Sequence, residues 1–166
     1  MTPADVTTRD ATPADTAAIA AIYNQGIVDR IATLETEART PEERQQWLAA
    51  RGPRHPVLVA EHDGIVVGWG SLNQFNPRQA YDFVVDFSVY VEREWRGKGM
   101  GSALLRALVA RARGLGFHKM VLSAFPWNAA GLALYQRYGF RTVGIYKEQG
   151  LLDGKWVDTI IMEKIL

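Results

Sequence analysis

The stretch Arg96-Gly97-Lys98-Gly99-Met100-Gly101-Ser102 decides how this chain is expected to fold. It joins a strand pattern that ends at Val91 to a helix pattern over 99–115, whose leucines share one face. The first amides of a helix lack intrahelical partners and carry partial positive charge, so this turn favours an anion. Its glycines let a ligand approach the backbone closely. The stretch therefore predicts a phosphate-binding turn, to which Arg96 and Lys98 add full charges.

Two common phosphate-binding patterns are absent from this turn. The Walker pattern Gly-x-x-x-x-Gly-Lys-Ser/Thr does not occur in the sequence. The dinucleotide pattern Gly-x-Gly-x-x-Gly fails in both registers, because neither Ser102 nor Leu104 is the glycine that its last position requires. The pattern that fits is Arg-x-x-Gly-x-Gly, with Arg96, Gly99 and Gly101. From this pattern alone, a tight strand-to-helix turn without a ligand remains an alternative.

Strand and helix patterns alternate along the rest of the chain. One helix starts at Thr12 and ends near Gly26, and a capping box over 40–43 starts a second. The stretch 27–39 is predicted as a loop with a short helical piece. The predicted strands cover 6–9, 57–60, 65–72, 81–91, 119–125, 140–148 and 156–165, and the later helices cover 99–115 and 128–138. This order predicts an α/β fold with a mixed sheet and helices on both faces, in one domain over all 166 residues.

Composition excludes several kinds of site. The chain has no cysteine and three scattered histidines, so we expect no disulfide, no cysteine nucleophile and no metal site. No apolar run approaches the roughly 18 residues of a membrane helix, and 1–10 has no apolar core of the kind found in export signals. We therefore expect a cytoplasmic protein that does not contact a membrane.

Charge is balanced over the whole chain but not along it. The formal net charge of +1 gives no general attraction to nucleic acid. Between Glu92 and Lys119, however, basic side chains outnumber acidic ones. The basic residues of this segment are Arg93, Arg96, Lys98, Arg106, Arg111, Arg113 and Lys119. Two interpretations remain open, a solvated helix face and the attraction of a polyphosphate ligand.

Two longer motifs flank the glycine turn. Ser88-Val89-Tyr90-Val91 precedes it, and Asn128-Ala129-Ala130-Gly131-Leu132-Ala133-Leu134-Tyr135-Gln136-Arg137-Tyr138-Gly139-Phe140 follows it. In this order and spacing they resemble the GNAT superfamily of N-acetyltransferases over nearly the whole chain. The resemblance implies a mixed, mostly antiparallel sheet of about seven strands with acetyl-CoA as co-substrate. It also implies that the fourth and fifth strands, here 81–91 and 119–125, splay apart.

The resemblance assigns the coenzyme contacts. The amides of Gly97, Lys98, Gly99, Met100, Gly101 and Ser102, beside Arg96, are expected to bind the pyrophosphate. The backbone of Val89, Tyr90 and Val91 is expected to hydrogen-bond the pantetheine arm as an added strand would. Asn128 is expected to reach that arm or the thioester.

Acetyl transfer to an amine needs a base for the ammonium and an acid for the leaving thiolate. Asp86 is the candidate base, because it interrupts an apolar central strand, where burial raises the pKa of a carboxyl. Tyr135 is the candidate acid, two helical turns after Asn128. The alternatives are a structural hydrogen-bonding role for Asp86 and a core aromatic role for Tyr135.

Further residues suggest a closer relationship. Ala80-Tyr81-Asp82, Asp86, Gly154-Lys155-Trp156-Val157-Asp158 and Ala32-Thr33-Leu34-Glu35-Thr36 resemble the phosphinothricin and methionine sulfoximine acetyltransferase branch. Members of this branch acetylate the α-amino group of small amino-acid analogues and usually form dimers. Two positions depart from it, since the branch typically has Glu at position 86 and often has His at position 135.

The acceptor site is expected around the loop before the fourth strand. Arg78 is the candidate carboxylate clamp, because a guanidinium binds a carboxylate with two hydrogen bonds. Leu34, Glu35 and Tyr81 are the other candidates, and an exposed loop arginine remains the alternative for Arg78. The leading hypothesis is a small-amine N-acetyltransferase that forms a homodimer. The alternatives are a polyamine, an aminoglycoside or a protein N-terminus as acceptor, an acyl-CoA sensor without turnover, and a nucleic-acid module with salt-sensitive binding.

Overall fold

A computed structural model describes residues 5–166. One seven-stranded sheet has the order β1-β2-β3-β4-β5-β7-β6. The strands are β1 (Val6–Asp10), β2 (Val57–His62), β3 (Ile65–Gln74), β4 (Val84–Val91), β5 (Lys119–Ala124), β6 (Arg141–Leu152) and β7 (Lys155–Ile165). The helices are α1 (Thr16–Asp29), α2 (Pro41–Ala49), α3 (Met100–Gly114) and α4 (Ala129–Arg137). None of the helices within 5–166 is long and apolar enough to span a bilayer.

The pairing of β4 with β5 differs from every other pairing in the sheet. These two strands are parallel, whereas the remaining neighbours are antiparallel. Their pairing ends at Asp86 and Val121, although β4 continues to Val91 and β5 to Ala124. The two strands therefore part in mid-sheet, which confirms the predicted mixed, mostly antiparallel sheet with splayed fourth and fifth strands.

Helices cover both faces of the sheet. On one face, Ile22 and Tyr23 of α1 and Trp47 of α2 pack against Val59 and Trp69. On the other face, α3 and α4 pack over the larger cluster that holds Leu105, Leu108, Phe87 and Phe140. A Cβ atom at Gly70 would lie 2.8 Å from Leu108 Cδ1, so this glycine permits the close approach of α3 to β3. The predicted arrangement of helices on both faces is confirmed.

The predicted end of α1 was wrong. The helix continues through Gly26 to Asp29 and ends where Arg30 adopts a left-handed conformation with φ of 55°. Gly26 lies inside the helix beside Tyr90, where an added Cβ would be at ordinary contact distance, 3.5 Å from Tyr90 Cδ1. The helical piece predicted within 27–39 is thus the last turn of α1, and 31–39 contains no helix.

Two strand boundaries differ from the prediction by three residues or more. β4 begins at Val84 instead of residue 81, because Gln79–Tyr81 forms a 3₁₀ turn. β6 extends to Leu152, four residues past the predicted end, and passes through an irregular section where Glu148 has φ of 50°. In that section the Glu148 amide donates to Asp158 Oδ1 at 2.8 Å, so a side chain takes the place of a strand partner. Because Asp158 is ten residues away, the local sequence pattern does not indicate this contact.

Side-chain caps hold the starts of two helices as predicted. Thr40 Oγ1 accepts from the Glu43 amide at 3.1 Å, and Glu43 Oε2 accepts from the Thr40 amide at 3.1 Å, which completes the capping box. Asn128 Oδ1 accepts from the Gly131 amide at 3.1 Å and caps α4.

Candidate active site

A continuous cleft opens where β4 and β5 part. Its outer part, about 420 Å³, is lined by the glycine turn and α4, and we call it the turn cavity. Its inner part, about 250 Å³, is lined by the ends of both strands and the loop after α1, and we call it the inner cavity. The two cavities share the lining residues Ile31, Ala32, Val89, Tyr90, Asn128 and Tyr135. A long ligand can therefore lie in both at once.

The glycine turn forms one wall of the turn cavity. Gly97 and Gly99 have φ of 76° and 87°, a backbone region that favours glycine. Among residues 5–166, no atom lies within 4 Å of an added Cβ at Gly97. Met100 is 1% exposed, and its side chain lies in the core instead of lining the turn cavity. The turn fits a pyrophosphate held by backbone amides.

The arginine of the turn has an acidic partner. Arg96 Nη1 lies 2.6 Å from Asp29 Oδ2, and Arg93 Nη2 lies 2.8 Å from the other oxygen of Asp29. Hydrogen bonds from Arg93 and then Arg96 lower the pKa of this carboxyl below its usual value. Arg96 therefore ties the turn to α1, and its charge is compensated before any phosphate binds.

Other members of the basic segment are paired as well. Arg111 binds Asp10 at 2.6 Å, and Lys119 binds Glu163 at 2.5 Å. Lys98 is exposed, with Nζ 5.5 Å from the Trp95 ring centroid. Four of the seven basic side chains in this segment are thus paired with acids from distant elements, and Arg93 and Arg96 share one of these acids.

Arg137 is a cavity residue that the sequence analysis did not select. It lies in the last turn of α4, is exposed, and lines the turn cavity without an ion pair to the described residues. Arg137 belongs to the Asn128–Phe140 motif and lies in the turn of α4 that faces the glycines. This position was the feature of the sequence that could have indicated a role in the cavity.

Asn128 and Tyr135 both line the two cavities, as their helical spacing predicted. The ring of Tyr135 packs edge-on against Phe87, with centroids 5.8 Å apart. Burial raises the pKa of Tyr135 to about 12. Its hydroxyl has no hydrogen bond to any of residues 5–166. This phenol is therefore protonated at neutral pH and available to a ligand.

Asp86 lies at the last pair that joins β4 to β5. Burial raises the pKa of its carboxyl to about 6, while a hydrogen bond from Asn73, 3.5 Å away, acts in the opposite direction. Asp86 does not line either cavity, but Ser88, two residues along the same strand face, lines the inner one. The carboxyl is thus beside the inner end of the cleft.

The loop after α1 forms one wall of the inner cavity. Leu34 lines this cavity together with Thr33, and an added Cβ at Gly150 would lie 2.6 Å from Leu34 Cδ1. Glu35, the next residue, is exposed and binds Arg39 at 2.6 Å, outside the lining. The structure therefore brings Leu34 to the cleft and places Glu35 at its margin.

The remaining acceptor candidates lie outside the cleft of this chain. Arg78 and Tyr81 are exposed on the loop between β3 and β4, and neither lines a cavity. Tyr81 packs edge-on against Phe75, with ring centroids 5.6 Å apart. The Arg78 side chain has no hydrogen bond or ion pair to the described part of the chain. Their roles in acceptor binding stay predictions.

Several lining residues belong to no motif. They are Ile31, Leu122, Ser123, Phe125 and Thr159. Tertiary contacts bring them together, for Arg30 binds Asp153 at 2.8 Å and Trp127 Nε1 donates to the Arg30 carbonyl at 2.8 Å. Because these contacts join segments far apart in the chain, local sequence patterns did not indicate this wall.

The family model described as "Acetyltransferase (GNAT) family" matches residues 19–140. The chain belongs to this family. A methionine sulfoximine/methionine sulfone acetyltransferase of Pseudomonas paraeruginosa is 38% identical over 157 residues, which cover 93% of this chain and 91% of that protein. The predicted enzyme class, an acyl-CoA-dependent N-acetyltransferase, and its co-substrate, acetyl-CoA, are confirmed.

Solved structures agree with this assignment. A phosphinothricin acetyltransferase from Sinorhizobium meliloti in complex with acetyl-CoA has a TM-score of 0.92 at 34% identity, with 98% of this chain and 89% of that one covered. A ribosomal-protein-alanine N-acetyltransferase from Brucella melitensis has a TM-score of 0.93 at 38% identity, with 96% and 99% covered. The predicted fold and the predicted resemblance to the phosphinothricin and methionine sulfoximine branch are confirmed.

Proposed function

We propose that this enzyme moves the acetyl group of acetyl-CoA to the α-amino group of a small amino acid or a close analogue, such as methionine sulfoximine or phosphinothricin. The names of the Pseudomonas and Sinorhizobium proteins support this acceptor class. The observation that carries the proposal is the position of Asp86, a carboxyl with pKa raised to about 6, at the point where the strands part.

The cleft supports an extended binding mode for acetyl-CoA. The amides of the glycine turn would hold the pyrophosphate at the start of α3. The edge of β4 from Val89 to Val91 has no strand partner on the β5 side, so it can hydrogen-bond the pantetheine arm. Asn128 and Tyr135 line both cavities, which supports a position of the thioester near these two side chains. Such positioning supplies much of the rate enhancement in a direct transfer.

The proposed chemistry has two proton transfers. Asp86, directly or through a water molecule, takes a proton from the acceptor ammonium. The neutral amine attacks the thioester carbonyl, so that a C–N bond forms and the C–S bond breaks. Tyr135 donates its phenolic proton to the leaving thiolate of coenzyme A, and the raised pKa of about 12 keeps this proton in place beforehand.

Acceptor recognition is proposed for Arg78, Tyr81, Leu34 and Glu35. The inner cavity is lined by no charged side chain among residues 5–166, so the acceptor carboxylate needs a cation from outside it. Arg78 is our proposed clamp, delivered by movement of the loop between β3 and β4 or by a second copy of the chain. We propose a homodimer, which is supported by exposed apolar side chains on the edge hairpin: Val143, Ile145, Tyr146, Leu151 and Trp156.

We also propose a cytoplasmic location for a single acetyltransferase domain over the whole chain. The support is the co-substrate, because acetyl-CoA is an intracellular metabolite. Light scattering of the purified protein measures its mass: twice 18.5 kDa supports the dimer, and 18.5 kDa contradicts it.

A thiol-release screen tests the acceptor class. Acetyl-CoA is offered with amino acids, methionine sulfoximine, phosphinothricin, polyamines and aminoglycosides, with Asp86→Asn as the inactive control. We expect turnover with the amino-acid group. Turnover with polyamines alone would contradict the proposal, and acetyl-CoA binding without any turnover would identify a sensor.

A protein N-terminus is the second candidate acceptor, and the Brucella neighbour favours it. A short peptide with an N-terminal alanine, added to the same screen, separates the two. A kcat/KM for the peptide above that for every free amino acid would replace the first candidate with this one.

A further inference from the structure

Asn73 connects the candidate base to a half-buried arginine, Arg51. It pairs with Asp86 across β3 and β4. Its Nδ2 lies 3.5 Å from Asp86 Oδ1 and 3.3 Å from Ser88 Oγ, and its Oδ1 lies 2.9 Å from Arg51 Nη2. Both ends of the carboxamide are therefore engaged, one by a cation and the other by the carboxyl.

Arg51 determines which end of the amide faces Asp86. A guanidinium has donors and no acceptor, so the Asn73 atom beside Arg51 must be the oxygen. The amide NH₂ therefore points toward Asp86 and Ser88. Arg51 is itself held by bonds to the carbonyl oxygens of His55, at 2.9 Å, and Leu72, and by the Trp47 ring at 4.6 Å. Burial and then the charge of Arg44 lower the pKa of Arg51 to about 10, which leaves it charged at neutral pH.

We propose that Asn73, oriented by Arg51, is a positioning residue that stabilises the ionised form of Asp86 and sets the pH at which this base works. The proposal rests on the proposed function, since it requires Asp86 to be the base. An NH₂ group donates to a carboxylate but cannot accept from a protonated carboxyl, so the contact favours the ionised form.

Other titratable groups face this region from the surrounding elements. They are Tyr23 of α1, Arg44 of α2, Tyr90 of β4, Lys119 of β5 and Glu163 of β7. Lys119 and Glu163 bind each other, and Arg44 packs over the rings of Tyr23 and Trp47. His55 lies beyond Arg51, and burial lowers its pKa. None of these groups contributes to the pKa shift of Asp86, whose causes are burial and Asn73.

The test is the pH profile of kcat/KM for Asn73→Ala and Asn73→Leu, with the acceptor amine that the wild type uses. The ratio of variant to wild type removes the titration of the amine itself. At low pH kcat/KM falls as the base becomes protonated, and we expect this acid limb of the profile to move up by about one pH unit. The ratio of variant to wild type should then be roughly five-fold lower at pH 6 and near one at pH 8.5. Ser71→Ala, on the same strand face two residues earlier, is the matched control and leaves the limb in place.

Arg51→Met tests the orientation step. As a single variant, it should move the acid limb of the pH profile in the same direction as Asn73→Ala does. Combined with Asn73→Ala, it should add no further shift. A ratio that is equally low at every pH would overturn the proposal, because a merely structural role has that effect. An unmoved limb in both Asn73 variants would overturn it too. If Asp86→Asn is fully active, the proposed base fails first, so the two failures are distinguishable.

Discussion

Asp86 and Val121 form the last residue pair between β4 and β5, and the cleft begins where this pairing stops. The sheet thus supplies two things at one place, an opening for a ligand and a carboxyl beside it. Burial there raises the pKa of Asp86 to about 6, within the working range of a base at neutral pH.

Replacing Asp86 with Asn should remove activity and keep the fold. We expect kcat to fall about 10²- to 10⁴-fold, the range for loss of a general base. The amide is nearly the same size and still accepts from Asn73. Steady-state kinetics with a thermal melt checks both parts, and a variant as active as the wild type would contradict the role.

The same variant should change how stability depends on pH. The pKa of Asp86 is raised in the folded state, so its favourable contribution is present below the pKa of an unfolded Asp, about 4, and is lost as pH rises through about 6. The Tm of Asp86→Asn relative to wild type should therefore increase between pH 4 and pH 7. A difference that stays constant over this range would contradict the raised pKa.

Tyr135→Phe should slow the chemical step without disturbing the core. The ring contacts with Phe87 and Phe140 remain, while the hydroxyl that faces the cleft is lost. We expect kcat to fall about 10²-fold with little change in the KM for acetyl-CoA. An unchanged kcat would leave Tyr135 as a core aromatic residue.

Gly97→Ala should weaken coenzyme binding through backbone strain. Gly97 has φ of 76°, where a Cβ costs about 1 kcal/mol, although no neighbouring atom would clash. Gly64 has φ of 77° and equally open surroundings in the β2–β3 turn, away from the cleft, so Gly64→Ala is a matched control. Both variants should lose similar stability, and only Gly97→Ala should raise the KM for acetyl-CoA. Equal KM values would mean that the turn does not bind the coenzyme.

Asp29→Asn should loosen the glycine turn at neutral pH. Arg93 and Arg96 lower the pKa of Asp29, so the carboxylate stabilises the fold above the usual pKa of Asp, and this stabilisation is lost as pH falls through the lowered value. The variant should melt below wild type at pH 7, and the two curves should converge toward pH 3. Thermal melts across this pH range measure the difference in Tm between the two proteins. A difference that persisted in acid would contradict a role of the Asp29 ion pairs in stability.

The sequence predicted the features that depend on neighbouring residues. The glycine turn, the Thr40–Glu43 capping box and the Asn128 cap each lie within a few residues, and the structure has all three. Gly26 misled the prediction because it lies inside α1, next to Tyr90, and does not end the helix. The Asn73–Asp86 contact and the wall around Leu34 depend on strand register and on the docking of a loop against Gly150, which no local pattern contains.

The central claim, that this enzyme acetylates a small amino acid with Asp86 as base, is tested most directly by one reaction. Acetyl-CoA and methionine sulfoximine are incubated with the wild type and with Asp86→Asn, and the products are identified and quantified by mass spectrometry. We expect N-acetyl-methionine sulfoximine and free coenzyme A in equal amounts from the wild type, and almost none from the variant. Unmodified amino acid with the wild type, or equal product from both proteins, would contradict it.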